Sequence, residues 1–221
     1  IQKGLDMNRR TFVAGTAVVA LGAFAVGAMF YQPVSDNLSP PLPSDANSAP
    51  LVRPHAPMLG PDDAPVTIVE FFDPACEACR AFYPVVKEIM STYPDKVRLI
   101  LRYAAFHPTS EEAVRILEAA RLQGKFEPVL ERLMETQPRW APHGRPADSA
   151  WTVLDGTGLD IPKAKSDAKM PDIVGTMNMD AMDVSAVGVN KTPTFFVNGK
   201  PLTEFGAQQL NDLVKAEVEK N

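Results

Sequence analysis

Apolar residues in the later part of this chain follow patterns that predict strands. The run Val66–Phe72 is almost continuously apolar, which is typical of a buried strand, and Lys96–Tyr103 and Thr194–Val197 have a similar pattern. Asn198-Gly199 is a hairpin turn signal, so a fourth strand is predicted to begin at Pro201. The first three predicted strands are far apart in sequence, with room for helices between them, whereas the third and fourth are joined by the hairpin turn.

Between the predicted strands, the apolar residues have helical spacing. Phe82, Val85, Val86 and Ile89 share one side of a helix predicted over residues 76–90, within which Pro84 predicts a kink. Further helices are predicted over 109–122, where Thr109-Ser110-Glu111-Glu112 has the spacing of a capping box, over 126–136, in short pieces from 147 to 184, and over 207–219. The order is strand, helix, strand, a helical block, strand, turn, strand and helix.

The first 31 residues have the composition of an export segment. Arg9 and Arg10 precede an uncharged stretch from Phe12 to Tyr31, and paired arginines before such a stretch are typical of the twin-arginine route. The stretch is just long enough to span a bilayer, so it is either an anchor retained in the inner membrane or a cleaved signal. In both cases we expect the rest of the chain in the periplasm or another extracytoplasmic compartment.

Residues 32–57 separate this segment from the predicted globular domain, 58–221. They contain seven prolines among Ser, Asn and Asp, a composition that cannot form a packed core. We therefore predict a semi-extended tether, which would reach roughly 80 Å at about 3.1 Å per residue. Because so proline-rich a segment is a poor dimerisation domain, we expect a monomer.

The charge of the chain argues against nucleic-acid binding. The formal net charge is -5, and residues 32–221 carry 19 basic and 26 acidic side chains, or -7. No stripe of basic residues offsets this acidic balance. Nucleic acid is therefore excluded as a partner.

Two cysteines, Cys76 and Cys79, are the strongest chemical signal in the sequence. They follow the first predicted strand and open the first helix, where the helix dipole favours a thiolate. Structural zinc would need four Cys or His ligands, and the three histidines do not stand at ligand spacing. A purely structural disulfide across so short a loop would stabilise little. The spacing favours a redox-active pair that needs no cofactor and no metal.

These features together resemble the DsbA family of exported thiol-disulfide oxidoreductases. The matching stretches are Gly60–Asp73, Cys76-Glu77-Ala78-Cys79 and Val189–Gly199. The resemblance implies an α/β protein with the thioredoxin fold, a central mixed β-sheet flanked by helices, carrying an all-helical insertion at about residues 107–186. It also implies disulfide exchange with exported cysteine-containing proteins, and we expect a redox partner in the membrane.

The resemblance assigns roles to five residues. Cys76 corresponds to the exposed attacking cysteine and Cys79 to the buried resolving one. Pro193 corresponds to a cis-proline beside the pair, with an ordinary trans bond as the alternative, and Thr192 would offer backbone groups to an extended client segment. Glu70 corresponds to a buried acid that accepts the proton of Cys79, because burial raises its pKa; a solvated glutamate is the alternative.

The residues between the cysteines, Glu77 and Ala78, differ from the Pro-His pair of the best-known oxidants of the family. A negative charge at Glu77 disfavours ionisation of Cys76, so we expect a higher pKa and a less oxidising pair than in DsbA. The sequence therefore leaves open a general oxidant, a reductase or an isomerase, including a dedicated reductant for a cytochrome or copper-site assembly factor.

A methionine cluster suggests a different class of function. Met170, Met177, Met179 and Met182 lie close in sequence, and thioethers suit Cu(I). Methionines at such irregular spacing are more often core residues, and that is our expectation here. A Cu(I)-binding module remains an alternative.

Overall fold

The structure is a computed structural model that describes residues 50–220. Its strands are β1 (Met58–Leu59), β2 (Val66–Phe72), β3 (Val97–Tyr103), β4 (Thr194–Val197) and β5 (Lys200–Pro201). Its helices are α1 (Glu77–Thr92), α2 (Ser110–Arg121), α3 (Phe126–Trp140), α4 (Ile161–Asp167), α5 (Pro171–Val187) and α6 (Ala207–Val218), with a short 3₁₀ turn at Ala150–Val153.

The strands form one mixed sheet in the order β1-β3-β2-β4-β5. β2 and β3 are parallel, with Val66 opposite Val97, whereas β4 runs antiparallel to β2 and places Phe195 opposite Glu70. The short strands β1 and β5 close the two edges in antiparallel pairs. β2 lies at the centre, and its carboxyl end leads directly to Cys76.

The sheet separates two apolar clusters, which explains the continuous apolar run of β2. Ile68 and Phe72 face the larger cluster, which α1, α2, α3 and α6 cover. Val69 and Phe71 face a smaller cluster that includes Val184 of α5. A strand that is buried on both faces has no polar face to alternate with. Helices α2 to α5 lie between β3 and β4 in sequence and form the predicted all-helical insertion.

The predicted thioredoxin fold with a mixed sheet is confirmed, and most element bounds differ by only a few residues. α1 runs through Pro84, and α3 continues to Trp140 although it was predicted to end at Thr136. The predicted capping box is wrong. No side chain caps α2 at Thr109, and the Glu112 carboxylate accepts instead from the hydroxyl of Ser149 and the N–H of Ala150. A side chain that the capping box would have bonded within the helix is therefore bonded to a distant part of the chain.

The folded domain begins earlier than the composition predicts. Residues 51–57 were assigned to the tether, yet Leu51 is buried and the carbonyl oxygen of Leu51 accepts a hydrogen bond from Arg102. The backbone N–H of Leu101 donates to Pro57. A proline-rich composition disfavours regular secondary structure, but such a segment can still be fixed to the domain by hydrogen bonds to its carbonyl groups.

A buried cluster of charged side chains, the Arg102 cluster, fixes this segment to the domain. Arg102 on β3 has no exposed surface and donates to Asp180 and Asp183 of α5, at 2.6 Å each. Arg53 also donates to Asp183, at 2.7 and 2.8 Å, and His55 lies 2.7 Å from Asp180. The cluster joins residues 50–57, β3 and α5, which are distant in sequence.

The predicted export segment and most of the tether lie outside the described residues. Among the helices of residues 50–220, none has the length and apolar character needed to cross a membrane.

Candidate active site

Cys76 lies at the first turn of α1, directly after the central strand. It is the N-cap residue, with extended φ and ψ of -78° and 124°, and Glu77 is the first helical residue. The carbonyl oxygen of Cys76 accepts from the N–H of Arg80 at 3.1 Å, which closes the first helical turn. The positive end of the helix dipole therefore faces the Cys76 sulfur.

Asp73 holds the turn between β2 and α1. Its side chain is fully buried and accepts hydrogen bonds from the N–H of Ala75 at 2.9 Å, the N–H of Phe106 at 2.8 Å and the hydroxyl of Ser110. His107 Nδ1 lies 2.7 Å from the same carboxylate. A buried carboxylate with this many donors fixes the backbone around it. Asp73 thus joins the cysteine turn to the start of the insertion.

Gln137 of α3 supports the same turn from the opposite side. Its buried Nε2 donates to the carbonyl oxygens of Pro74 and Cys76, at 2.8 and 2.9 Å. The helical insertion therefore contacts the active site directly through a side-chain amide.

Cys76 is largely covered, with 8% of its surface exposed, whereas Cys79 has none. The expectation of an exposed attacking cysteine is wrong in degree. The Thr192–Pro193 segment lies over Cys76, whose sulfur is 3.3 Å from the carbonyl oxygen of Thr192. The Thr192–Pro193 peptide bond is cis, the isomer that the family resemblance implied.

The Cys76 thiol ionises readily, because its surroundings lower its pKa to about 5. The largest cause is a hydrogen bond from the Cys79 thiol, and burial opposes it. A hydrogen bond from the Thr192 side chain and the N–H groups of Cys79 and Ala78 add further stabilisation of the thiolate. A thiol with this pKa is a thiolate at neutral pH.

Cys79 has the opposite environment. Burial raises its pKa far above the ordinary value, and hydrogen bonding to Cys76 and the charge of Glu70 raise it further. The sulfur of Cys79 also accepts the N–H of Asp73 at 3.4 Å. The pair therefore contains one thiolate and one thiol, which is the arrangement that stepwise exchange needs.

Glu70 shares a cavity with Cys79. The cavity has a volume of about 440 Å³, is lined mainly by apolar side chains, and has Lys87 and Glu131 at its charged rim. Glu70 is 4% exposed, and burial raises its pKa to about 8, with the Cys76 charge adding to the effect. The predicted burial of Glu70 is confirmed. A carboxyl group that titrates near neutral pH can both accept and return a proton.

Glu77, the residue after Cys76, is exposed and contacts the loop after α3. Its side chain is 64% exposed, and Oε1 lies 3.6 Å from Nε2 of His143 on the loop after α3. The ring of His143 is 5.8 Å from the ring of His107, in an edge-on arrangement. Two histidines from distant parts of the chain therefore lie beside the cysteine turn.

The structure brings all five predicted residues to one site: Cys76, Cys79, Glu70, Thr192 and Pro193. The sequence interpretation missed four others: Asp73, His107, Gln137 and His143. Only Asp73 carried a local signal, because an Asp-Pro step directly after a strand favours a side-chain turn. The other three reach the site through tertiary packing.

The methionine cluster does not form part of this site. Met177 packs against the core, while Met170, Met179 and Met182 are exposed, so the expectation that all four are core residues is wrong. The exposed three lie on the outer side of α5 or at its start. Within the described range, 50–220, His, Cys, Asp and Glu side chains form no group of three that could hold a metal ion.

Comparisons with known proteins agree with the thioredoxin-like fold. Residues 53–216 match the family model described as thioredoxin. A thioredoxin-like oxidoreductase from Silicibacter pomeroyi is 29% identical, with a TM-score of 0.64 over 76% of this chain and 95% of that one. BdbD from Bacillus subtilis, in its oxidised form, is 23% identical, with a TM-score of 0.65 over 75% and 94% of the two chains. The thiol-disulfide exchange protein alpha-DsbA2 from Wolbachia pipientis is 21% identical, with a TM-score of 0.61 over 78% and 90%.

The chain is also similar to one region of several larger proteins. A Na⁺/H⁺ antiporter NhaA of Mycolicibacterium gilvum is 32% identical over 197 residues, which are 84% of this chain and 30% of that protein. The chain thus spans about 30% of the length of this curated relative.

Proposed function

This chain belongs to the thioredoxin family as an oxidoreductase with a DsbA-like fold, and we propose that it exchanges disulfides with cysteine-containing proteins through Cys76 and Cys79. The observation that carries the proposal is the contrast between the two thiols. Cys76, with a pKa lowered to about 5, is an attacking group at neutral pH. Cys79, one helical turn away, is fully buried and protonated, so it can act only after Cys76 has reacted.

The first step is attack on a client disulfide. The Cys76 thiolate attacks one client sulfur, the client S–S bond breaks, and the second client sulfur leaves as a thiolate that takes a proton from solvent. The product is a mixed disulfide between Cys76 and the client. Thr192 supports this step, because its backbone groups lie beside Cys76 where an extended client segment can add as a strand.

The second step releases the client. The Cys79 thiol gives its proton to the Glu70 carboxylate across the cavity that both line, and the new thiolate attacks the Cys76 sulfur. The bond from Cys76 to the client breaks, and the client leaves with both of its cysteines reduced. Two electrons pass from the pair to the client, and a Cys76–Cys79 disulfide forms. The same steps in reverse oxidise a client dithiol.

The proposed setting is outside the cytoplasm, where disulfides persist. Arg9 and Arg10 before the apolar stretch support export, and residues 32–49 support a tether to an inner-membrane anchor. Exported proteins are the clients in this setting, and a membrane partner would restore the pair after each cycle. The chain acts as a monomer in this proposal.

Trapping the mixed disulfide tests the proposal. We expect a Cys79→Ala variant to accumulate a covalent adduct with a disulfide-containing peptide, detected by mass spectrometry at pH 8. The wild-type protein should release the peptide, and a Cys76→Ala variant should form no adduct. Disulfide exchange that survives in Cys76→Ser would overturn the proposal.

A further inference from the structure

The cavity that Glu70 and Cys79 share, the Glu70 cavity, lies between α1 and α3 on one face of the sheet. Its volume of about 440 Å³ falls within the range of small-molecule sites, about 300–1,000 Å³. Most of its other lining side chains are apolar, and they include Phe72, Val86, Met90, Leu99, Leu101 and Leu130. A cavity with this size and lining favours an apolar occupant.

Glu70 differs from the other buried acids in having no protein partner. Each of the others within residues 50–220 accepts hydrogen bonds from protein donors: Asp73, Glu118, Asp180, Asp183 and Glu217. In the same range, no protein group hydrogen-bonds to the Glu70 carboxyl group, and the causes that act on its pKa are burial and the charge of Cys76. Because an unpartnered polar group is costly to bury, this carboxyl group is available to a molecule in the cavity.

The charged side chains around the cavity disfavour a charged occupant. At the rim, Nζ of Lys87 lies 2.6 Å from Oε1 of Glu131, so this cation is already paired. Glu127 is a second carboxylate in the lining, and together with Glu131 it would repel an anion. A cation would lose its hydration against a Glu70 side chain whose pKa, raised to about 8, keeps it mainly protonated at neutral pH. An uncharged molecule avoids both costs.

We propose that the Glu70 cavity binds a small uncharged molecule with an apolar body and one hydroxyl or carbonyl group, and that its occupation inhibits the resolving step. The Glu70 carboxyl group holds the polar group of this molecule by a hydrogen bond. The binding part of the inference stands on the cavity alone. The inhibitory part rests on the proposed function, in which Glu70 accepts the proton of Cys79.

An occupant affects the two steps of exchange differently. Attack by the Cys76 thiolate transfers no proton to Glu70, so it proceeds while the cavity is occupied. Resolution requires the proton of Cys79 to reach Glu70 across the cavity that both line. A molecule bonded to Glu70 engages the acceptor and fills this space. Client release therefore slows, whereas formation of the mixed disulfide does not.

A matched pair of probes tests binding to the reduced full chain. 4-Ethylphenol has an apolar body and one hydroxyl group, and ethylbenzene is the same body without the hydroxyl. Methyl NMR titration measures both affinities and locates each probe. We expect saturable shifts at the methyl groups of lining residues such as Leu99 and Leu130. Shifts confined to exposed residues, or no saturable shift, would overturn the proposal.

A cycle of probes and variants tests the hydrogen bond to Glu70. The affinity of 4-ethylphenol relative to ethylbenzene should fall about three- to tenfold in Glu70→Leu, which keeps the position apolar and removes one hydrogen bond. Glu70→Gln keeps a neutral hydrogen-bonding group and should retain the preference. Glu131→Gln is the matched control, because it removes a carboxylate from the rim of the same cavity. An equal relative affinity in wild type and Glu70→Leu contradicts the proposal, and so does an equal loss in Glu131→Gln.

Single-turnover kinetics with a disulfide-containing peptide test the inhibition. Saturating 4-ethylphenol should slow release of the peptide from the wild-type protein by about tenfold or more, because a positioned proton acceptor contributes at least that much. The rate at which Cys79→Ala forms its adduct should not change. If the probe slows both reactions equally, or slows neither, inhibition of the resolving step is wrong.

The probe titrations and the trapping experiment fail separately, because the titrations involve no client. Absence of probe binding together with a successful Cys79→Ala trap would reject this inference alone. A failed trap together with probe binding that depends on Glu70 would reject the proposed function and the inhibition, and it would leave the binding site in place.

Discussion

Nε2 of Gln137 in α3 donates a hydrogen bond of 2.9 Å to the carbonyl oxygen of Cys76. This bond connects the helical insertion to the reactive residue itself, and a second bond from the same atom holds Pro74. The insertion is therefore a support for the cysteine turn as well as a cover beside it. The contribution of these two hydrogen bonds to stability can be tested with one substitution.

Gln137→Ala should destabilise the protein by about 1–3 kcal/mol, because two buried carbonyl oxygens lose a donor. Urea unfolding of the reduced protein measures the change. Gln208→Ala is the control, since the Gln208 amide bonds only the exposed Asp212 on its own helix. Equal stabilities of the two variants would show that the two Gln137 hydrogen bonds contribute nothing to stability.

Cys79→Ala should raise the pKa of Cys76. The Cys79 thiol is the largest cause of the lowering to about 5, so its removal moves the pKa upward toward the ordinary value of about 8.5. The pH dependence of iodoacetamide alkylation measures this, because Cys76 is the one thiol left in the variant. An unchanged midpoint near 5 would mean that Thr192 and the backbone N–H groups set the pKa of Cys76 without the Cys79 thiol.

Glu70→Gln should stabilise the reduced protein at alkaline pH. Burial raises the pKa of Glu70 to about 8, so the folded state binds more protons than the unfolded state between its ordinary pKa and 8. The stability tied to protonated Glu70 is fully present below the ordinary pKa and is lost as the pH rises through 8. Gln keeps the neutral form at every pH, and at pH 9 the gain should exceed about 1 kcal/mol.

Chemical denaturation at pH 4 and pH 9 checks this sign. The difference between Glu70→Gln and wild type should grow from the lower to the higher pH. Glu131→Gln at the exposed rim of the same cavity serves as the control and should show little pH-dependent change. A gain in stability that is larger at pH 4 would contradict a buried, protonated Glu70.

The reduction potential of the pair should lie between that of thioredoxin, about -270 mV, and that of DsbA, about -120 mV. The pKa of Cys76, about 5, lies between the values of about 7 and about 3.5 known for those two proteins, and a more stable thiolate makes a stronger oxidant. Equilibration with glutathione measures the potential. A value at or above that of DsbA would contradict the expectation of a less oxidising pair.

Asp180→Asn should cost about 3 kcal/mol or more, because it leaves the fully buried Arg102 with one carboxylate fewer. The loss should appear in urea unfolding, and it should also release residues 50–57, detected as faster proteolysis near Arg53. Asp212→Asn on the exposed face of α6 is the matched control. A variant as stable as this control would show that Asp183 alone suffices to hold the Arg102 cluster.

The sequence by itself determined the order of the elements and the reactive pair. Continuous apolar residues in β2 required burial on both faces, and a turn directly after that strand had to carry Cys76 and Cys79 to the start of a helix. The burial of Glu70 was implied by the family resemblance, because the apolar strand alone left a solvated glutamate as the alternative. The order of the elements depends on the spacing of apolar residues, which can be read from the sequence alone.

Only the tertiary structure decided what surrounds the pair. Gln137, His107 and His143 come from the insertion or the segment leading into it, and no local pattern marks a side chain that finds its partner 30 or 60 residues away. The same reason explains why residues 51–57 belong to the domain, since Arg53 pairs with a carboxylate 130 positions later. Periodicity predicts which face of an element is buried, but long-range hydrogen bonds and ion pairs exist only once the chain has packed.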